Sequence, residues 1–150
     1  SIDKKPKVLE IGVQNGGSID MWLEYFGEGT TVVGVDILPE CSNLNYPKEV
    51  DIFIGDQASE VFWDSVLEKH KEFDIIIDDG PHTKESHLQS LELYLPKLKS
   101  NGVFVIEDIA DMAWTEDYKK LVPEGMNYQI VDAREISGMS DSIMFVVRYD

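Results

Sequence analysis

Short, uninterrupted apolar runs alternate along the chain with segments whose apolar residues recur every three or four positions. Continuous β-branched and aliphatic runs are typical of strands that are buried on both faces of a sheet. A recurrence of three or four predicts helices with one apolar face. We predict strands at residues 7–12, 31–36, 51–55, 73–78, 103–107, 128–132 and 142–148. We predict helices at residues 18–26, 58–70, 83–98 and 117–121, with a break at Asn101-Gly102.

This alternation of strands and helices predicts a parallel sheet with helices on both faces. No helix is predicted between the last two strands, which a turn through residues 138–141 connects, so we expect them to pair antiparallel. The predicted fold class is therefore α/β, with a Rossmann-like, doubly wound sheet of seven strands, mostly parallel with the last strand antiparallel. The 150 residues correspond to a single domain over residues 1–150.

The charge balance is strongly acidic, with 29 acidic and 13 basic residues and a net charge of −16. Nucleic-acid binding depends on Lys and Arg, so we expect no nucleic-acid partner and favour a neutral or cationic small molecule. The sequence has no apolar run of about 18 residues, so we expect no membrane partner. A single cysteine, Cys41, excludes an internal disulfide and favours a cytoplasmic, reducing location.

Polar residues follow the five predicted parallel strands at their carboxyl ends, where open α/β sheets bind ligands. Each polar residue alone has an ordinary explanation, often as a helix cap. Together they predict one ligand site along this edge. The five ends carry Gly12 with Gly16-Gly17, Asp36, Asp56-Gln57, Asp78-Asp79 with His82, and Glu107-Asp108.

The loop after the first strand has the spacing G-x-x-x-G-G, formed by Gly12, Gly16 and Gly17. This spacing differs from the dinucleotide fingerprint G-x-G-x-x-G, and the loop lacks the Gly-Lys-Ser/Thr of a phosphate loop. Glu10 would repel a pyrophosphate but suits a cation, such as the sulfonium and amino groups of S-adenosylmethionine (SAM). The alternative is an ordinary strand-to-helix turn with Ser18 as the helix cap.

Asp36 lies 24 residues after Gly12, at the end of the second predicted strand. A carboxylate at this position can accept hydrogen bonds from both ribose hydroxyls of a nucleoside. Asp56 and Gln57 follow the third strand and can reach the adenine amine, although Asp56 can also be explained as the cap of the next helix. These residues predict a nucleoside ligand.

The segments 8–12, 16–18 and 33–37 together resemble the core of the class I SAM-dependent methyltransferases. The segments 55–57, 73–82 and 105–109 narrow the resemblance to the metal-dependent macrolide sugar O-methyltransferases, of the mycinamicin and macrocin type, and to the cephalosporin-hydroxylase-like proteins. The resemblance covers about residues 7 to 148. It implies SAM contacts at Glu10, Gly12, Gly16, Gly17, Ser18, Asp36, Ile37, Asp56, Gln57 and Asp78.

Three carboxylates, Asp79, Glu107 and Asp108, would converge if the fourth and fifth strands are neighbours. Their mutual repulsion calls for a cation, and hard oxygen ligands favour Mg²⁺ or Ca²⁺. The resemblance implies that these positions hold Mg²⁺, which chelates two adjacent sugar hydroxyls. It also implies that His82 is the catalytic base. We assign no role to His70 or His87.

The predicted function is SAM-dependent, metal-assisted O-methylation of a hydroxyl on a sugar or small polyol. One alternative is a SAM-binding module without turnover, which serves as a subunit of a larger assembly. A second alternative is an oxidoreductase related to the hydroxylase-like proteins. The second is weakened because the sequence has no clear iron triad of two histidines and one carboxylate.

Segment 110–125, with Met112, Trp114 and Tyr118, is the candidate lid over the acceptor. Its aromatic residues suit either stacking on a sugar ring or burial against the sheet. The pocket is expected to be open, to be completed by a second subunit of a homo-oligomer, or to take an extended glycoside. Pro81 stands where the resembled family more often has serine, which makes the turn before His82 stiffer.

Overall fold

The computed structural model describes residues 5–13, 17–27, 29–37, 50–56 and 59–150. These residues form an α/β domain around one seven-stranded sheet. The strands are β1 (Lys7–Ile11), β2 (Thr31–Asp36), β3 (Val50–Ile54), β4 (Phe73–Asp78), β5 (Leu98–Ile106), β6 (Met126–Asp132) and β7 (Ile143–Tyr149). The helices are α1 (Gly17–Phe26), α2 (Glu60–Lys69), α3 (Lys84–Tyr94), α4 (Thr115–Lys120) and α5 (Arg134–Ser137).

The strands follow the spatial order β3-β2-β1-β4-β5-β7-β6. All pairs from β3 to β5 are parallel, and β7 runs antiparallel to both of its neighbours, β5 and β6. The predicted doubly wound, mostly parallel sheet with its last strand reversed is therefore confirmed. The order reverses at β1, which lies between β2 and β4, and such a switch point opens a crevice at the carboxyl ends of the strands.

All but two boundaries agree with the predictions to within two residues. The helix predicted to reach residue 98 ends at Tyr94 and continues as a 3₁₀ turn over Leu95–Lys97, with Pro96 near its start. The chain then enters β5 at Leu98, so Asn101-Gly102 lies inside this strand instead of before it. A shift in register between β4 and β5 accommodates the segment, and a Cβ on Gly102 would lie 2.6 Å from the carbonyl oxygen of Asp74.

The connection between β6 and β7 was predicted to contain only a turn, and this prediction was wrong. It contains the four-residue helix α5, which ends at Gly138 with a φ of 74°. Such a short helix is set by local capping rather than by a periodic apolar face, so the pattern of apolar residues gave no sign of it. The antiparallel pairing of the two strands is unaffected.

The apolar side chains form a core on each face of the sheet. On one face, Leu9, Ile76 and Phe104 pack with Trp63 of α2 and Leu91 of α3. On the other face, Val8, Val32, Ile75 and Ile77 pack with Ile19 of α1. The alternation of side chains along each strand supplies both cores, which confirms that the strands are buried on both sides. Within the described ranges, no helix is long and apolar enough to cross a membrane.

Strand β1 ends where its backbone comes very close to the segment after β4. Gly12 has a φ of 90°, and its N–H donates to the carbonyl oxygen of Val35 over 2.8 Å. A Cβ at Gly12 would lie 2.1 Å from the carbonyl oxygen of Asp79 and 2.9 Å from Cα of Gly80. Glycine is therefore required at this position for two reasons, the left-handed backbone conformation and the close contact with Asp79.

Replacement of Gly12 by alanine should destabilise the fold more than the same change at Gly125, which also has a φ of 90° but nothing within 4 Å of the added Cβ. Both substitutions carry a left-handed strain of about 1–2 kcal/mol. Gly12→Ala adds a backbone clash that we expect to cost ~1–3 kcal/mol more. Urea unfolding of both variants measures the difference. Equal losses of unfolding free energy would show that the close contact with Asp79 is unimportant.

Candidate functional site at the carboxyl edge of the sheet

The central strands end at the same height. Ile11 is level with Val35 and Asp78, and Asp78 is level with Ile106. Backbone pairing continues one residue beyond these ends, since the N–H of Asp79 donates to Ile11 over 2.9 Å. The N–H of Glu107 donates to the carbonyl oxygen of Asp78 over 3.1 Å in the same way. The loops that follow these strands therefore start from one continuous edge.

The β1–β2 half of this edge places two acidic side chains next to the glycine turn. Glu10 is buried, with 2% of its surface exposed, and Asp36 is also buried. Oδ2 of Asp36 accepts a hydrogen bond from the N–H of Val13 over 2.8 Å, which fixes the carboxylate against the turn after Gly12. Ile37 follows with 64% of its surface exposed, so an apolar side chain stands beside this carboxylate at the edge.

Several predicted positions of this half lie outside the described residues. These are Gly16 and Gln57, together with the side chain of Ser18, while Gly17 begins α1. Asp56 is exposed and follows β3. It is not the cap of the next helix, because Ser59 caps α2 by accepting a hydrogen bond from the N–H of Phe62 over 3.3 Å.

Asp78 joins the two halves of the edge. Its carboxylate is fully buried, and it accepts hydrogen bonds from the N–H of Gly80 over 3.0 Å and from the hydroxyl of Ser90 in α3. Burial raises the pKa of Asp78 to about 6, although these hydrogen bonds favour the ionised form. A carboxyl group that titrates near neutral pH therefore lies at the switch point of the sheet.

Beyond Asp78, three side chains converge. One ligand atom from each of Asp79, His82 and Asp108 lies within 4.8 Å of the others. Nε2 of His82 is 3.9 Å from Oδ1 of Asp79 and 3.9 Å from Oδ2 of Asp108. We call these three residues the acidic cluster. His82 is exposed and lies between the two carboxylates.

Glu107 was predicted to converge with Asp79 and Asp108, but it is not part of the group within 4.8 Å. Its half-buried carboxylate is nevertheless close enough that burial, and then the charges of Asp79 and Asp108, raise its pKa. Burial and the charge of Asp108 likewise raise the pKa of Asp79. The excess of negative charge and the hard oxygen donors fit a divalent cation such as Mg²⁺.

The candidate lid packs against the core of the domain, where Met112 is half-buried. Tyr118 is fully buried and packs edge-on against Phe145 of β7, with ring centroids 5.6 Å apart, so it contacts the core rather than a ligand. Trp114 is half-buried. The hydroxyl of Tyr118 lies 2.6 Å from Nδ1 of His87 in α3.

His87 is one of the two histidines to which no role was assigned from the sequence. It is fully buried, and burial lowers its pKa to about 4. A signal for this burial was present in the sequence, because His87 lies four and seven residues before Leu91 and Tyr94, on the buried face of α3.

Comparison with known proteins identifies related sequences. A sequence profile described as a methyltransferase domain matches residues 9–109. The 8-demethyl-8-(2-methoxy-alpha-L-rhamnosyl)-tetracenomycin-C 3'-O-methyltransferase of Streptomyces olivaceus is 34% identical over 116 residues, which cover 73% of this chain and 28% of that protein. The mycinamicin VI 2''-O-methyltransferase of Micromonospora griseorubida is 32% identical over 119 residues, which cover 75% of this chain and 29% of that protein. The chain thus spans less than a third of the length of these relatives.

Solved structures share the architecture. The MycE methyltransferase of the mycinamycin biosynthetic pathway, in complex with Mg and SAH, superposes with a TM-score of 0.65 and 30% identity. This match covers 92% of the chain and 34% of MycE. Fibrillarin from Aeropyrum pernix superposes with a TM-score of 0.74 at 14% identity, covering 97% of this chain and 67% of that one, and it supports the fold alone.

The raised pKa of Asp78 predicts a specific dependence of stability on pH. Its favourable contribution is complete below the unfolded pKa of about 3.8 and is lost as the pH rises through about 6. In EDTA, the unfolding free energy should fall between about pH 4 and about pH 7. This fall should be smaller for Asp78→Asn than for the wild type, by roughly 2–3 kcal/mol. Asp64→Asn, at an exposed site on α2, is the control. Parallel pH profiles of Asp78→Asn and the wild type would contradict the assignment.

Proposed function

Since the chain belongs to the methyltransferase domain family, we propose that it transfers a methyl group from SAM to a sugar hydroxyl with the assistance of a divalent metal. The observation that carries this proposal is the acidic cluster, which stands at the same sheet edge as Asp36. A SAM-binding fold needs the glycine turn and Asp36, but it does not need two carboxylates and a histidine in contact range beside them. The cluster therefore favours a catalytic function over simple binding.

The proposed SAM site lies along the β1–β2 half of the edge. In this proposal Asp36 accepts hydrogen bonds from the ribose hydroxyls, and Ile37, which is exposed next to it, packs on the adenine. Glu10 and Asp78 supply negative charge for the cationic methionine end. The proposed contacts are Glu10, Gly12, Gly16, Gly17, Ser18, Asp36, Ile37, Asp56, Gln57 and Asp78.

The proposed metal ligands are Asp79, Glu107 and Asp108. The MycE structures contain Mg with SAH, and one of them also contains mycinamycin VI. The raised pKa values of Asp79 and Glu107 support the same assignment, because a cation would relieve the repulsion that causes part of each shift. A bound Mg²⁺ would polarise a coordinated hydroxyl and lower the pKa of that hydroxyl.

His82 is the proposed catalytic base. Its imidazole is exposed and lies 3.9 Å from both Asp79 and Asp108, so an acceptor hydroxyl beside these carboxylates would be within its reach. Nε2 accepts the proton of the hydroxyl as the oxygen forms its bond to the methyl carbon. The carbon–sulfur bond breaks at the same time, which leaves S-adenosylhomocysteine and an imidazolium ion. Asp79 and Asp108 stabilise that positive charge.

The proposed acceptor is a glycoside. Relatives are named for methylation of rhamnosyl and olivosyl sugars, and these names support a sugar hydroxyl as the acceptor class. In the candidate lid, Trp114 is half-buried against the core and Tyr118 is fully buried. A cytoplasmic location and association into a homo-oligomer stay predictions from the sequence.

Metal removal should separate cofactor binding from catalysis. With radiolabelled SAM and a panel of rhamnosides, EDTA should abolish methyl transfer, and excess Mg²⁺ should restore it. Calorimetry in EDTA should still show SAM binding, because the proposed SAM contacts are distinct from the metal ligands. Transfer that persists unchanged in EDTA would rule out the metal. SAM binding without transfer to any acceptor, even with Mg²⁺, would favour the non-catalytic binding module.

Asp36→Asn should weaken SAM binding about ten- to hundredfold, because it replaces a charged acceptor with a neutral one for the ribose hydroxyls. The asparagine keeps the size of the side chain and an oxygen for the N–H of Val13, so the turn after Gly12 should persist. Calorimetric titration with SAM measures the change. Asp64→Asn removes a charge from an exposed position of α2 and should leave the affinity for SAM unchanged. Equal affinities for the two variants would remove Asp36 from the SAM site.

A further inference from the structure

The proposed metal ligands come from two loops that lead into different helices. Asp79 and His82 precede α3, which begins at Lys84. Glu107 and Asp108 precede a 3₁₀ turn at Met112–Trp114 that continues directly into α4. The spacing of the carboxylates across the cluster therefore depends on how α3 and α4 are held together.

A buried hydrogen bond joins these two helices. Nδ1 of His87 in α3 lies 2.6 Å from the hydroxyl of Tyr118 in α4, and neither residue is exposed to solvent. The rings meet edge-on, with centroids 5.6 Å apart. The ring of His87 also lies edge-on to Trp114, with centroids 6.4 Å apart, so it contacts both parts of the segment after Asp108.

Burial of the polar His87 side chain is energetically unfavourable, which argues that this residue does more than fill space in the core. Nε2 of His87 is buried and has no hydrogen-bond partner among the described residues. A buried polar group without a partner destabilises a fold, and leucine or phenylalanine would fill the same space without that cost. Unlike apolar packing, a hydrogen bond requires a particular distance and angle between its two partners. The bond between His87 and Tyr118 therefore fixes the position of α4 against α3.

A second contact between the same helices is exposed and provides a comparison. Lys84 at the start of α3 forms an ion pair with Asp117 in α4. Exposed ion pairs hold geometry weakly because water screens them. The buried bond is between two neutral groups at pH 7, because burial lowers the pKa of His87 to about 4 and raises the pKa of Tyr118.

We propose that His87 and Tyr118 are positioning residues, whose hydrogen bond holds the Glu107–Asp108 loop against the Asp79–His82 loop and so preorganises the metal site. This inference rests on the proposed metal-assisted function. It assigns no contact with SAM to either residue. Loss of the bond should therefore weaken metal binding and leave SAM binding intact.

The test uses Mn²⁺ as the probe, bound to the metal-free full chain and followed by electron paramagnetic resonance. Tyr118→Phe keeps the ring and removes the hydroxyl, and we expect it to raise the Kd for Mn²⁺ at least tenfold. The Kd for SAM, measured by calorimetry, should change less than twofold. Lys84→Gln, which breaks the exposed ion pair at the same helix contact, should leave both constants near the wild-type values.

The double variant Tyr118→Phe/His87→Leu separates positioning from stability. It removes both hydrogen-bond partners and the buried Nε2, so its unfolding free energy should be higher than that of Tyr118→Phe alone. Its Kd for Mn²⁺ should still be at least tenfold above the wild-type value. It also carries the test if Tyr118→Phe alone does not fold. If either variant binds Mn²⁺ with wild-type affinity, the positioning role of His87 and Tyr118 is wrong, and the proposed metal site is unaffected. A wild-type protein that binds no Mn²⁺ would overturn the proposed metal site, and the role of the pair with it.

Discussion

The close backbone contact between Gly12 and Asp79 sets the relation between the two halves of the site. Strand β1 leaves the sheet directly across the end of β4, and no side chain fits between them, because a Cβ would lie 2.1 Å from the carbonyl oxygen of Asp79. On one side, the turn after Gly12 meets Asp36 through the N–H of Val13. On the other side, Asp79 enters the acidic cluster. A shift of this contact would change the distance between the proposed SAM and metal sites. Methyl transfer depends on that distance.

The same edge concentrates negative charge that the fold does not neutralise by itself. Asp78 is supported by Gly80 and Ser90, yet burial still raises its pKa to about 6. Burial and neighbouring carboxylates raise the pKa values of Asp79 and Glu107 as well. These shifts mean that ionisation of the three carboxyl groups is unfavourable without a cation. The sulfonium of SAM and a divalent metal both carry positive charge, so the electrostatics of the edge match the two ligands proposed for it.

Sequence patterns were sufficient for the parts of the fold that depend on local signals. Apolar runs locate strand ends, and parallel pairing brings those ends to one edge, so Asp36, Asp78, Asp79 and Asp108 were correctly expected there. The early start of β5 was missed because it depends on pairing with β4 across a register shift, which no local pattern encodes. The pairing of His87 with Tyr118 was not predicted, because the two residues are 31 positions apart and belong to different helices. Contacts over that range follow from tertiary packing rather than from periodicity.

The backbone after β5 brings two consecutive acids close to His82 and Asp79. In an extended strand, neighbouring side chains point to opposite faces, so Glu107 and Asp108 could not both face the cluster if β5 simply continued. Asp108 instead has a φ of 54°, the left-handed region that side chains other than glycine rarely adopt. This conformation brings its carboxylate to 3.9 Å from His82, while Glu107 stays close enough that the charge of Asp79 contributes to raising the pKa of Glu107. Such strain costs on the order of 1 kcal/mol or more and persists only where the surroundings impose it. The N–H of the next residue, Ile109, donates to Ile143 of β7 over 3.1 Å, so the sheet itself holds the strained turn in place.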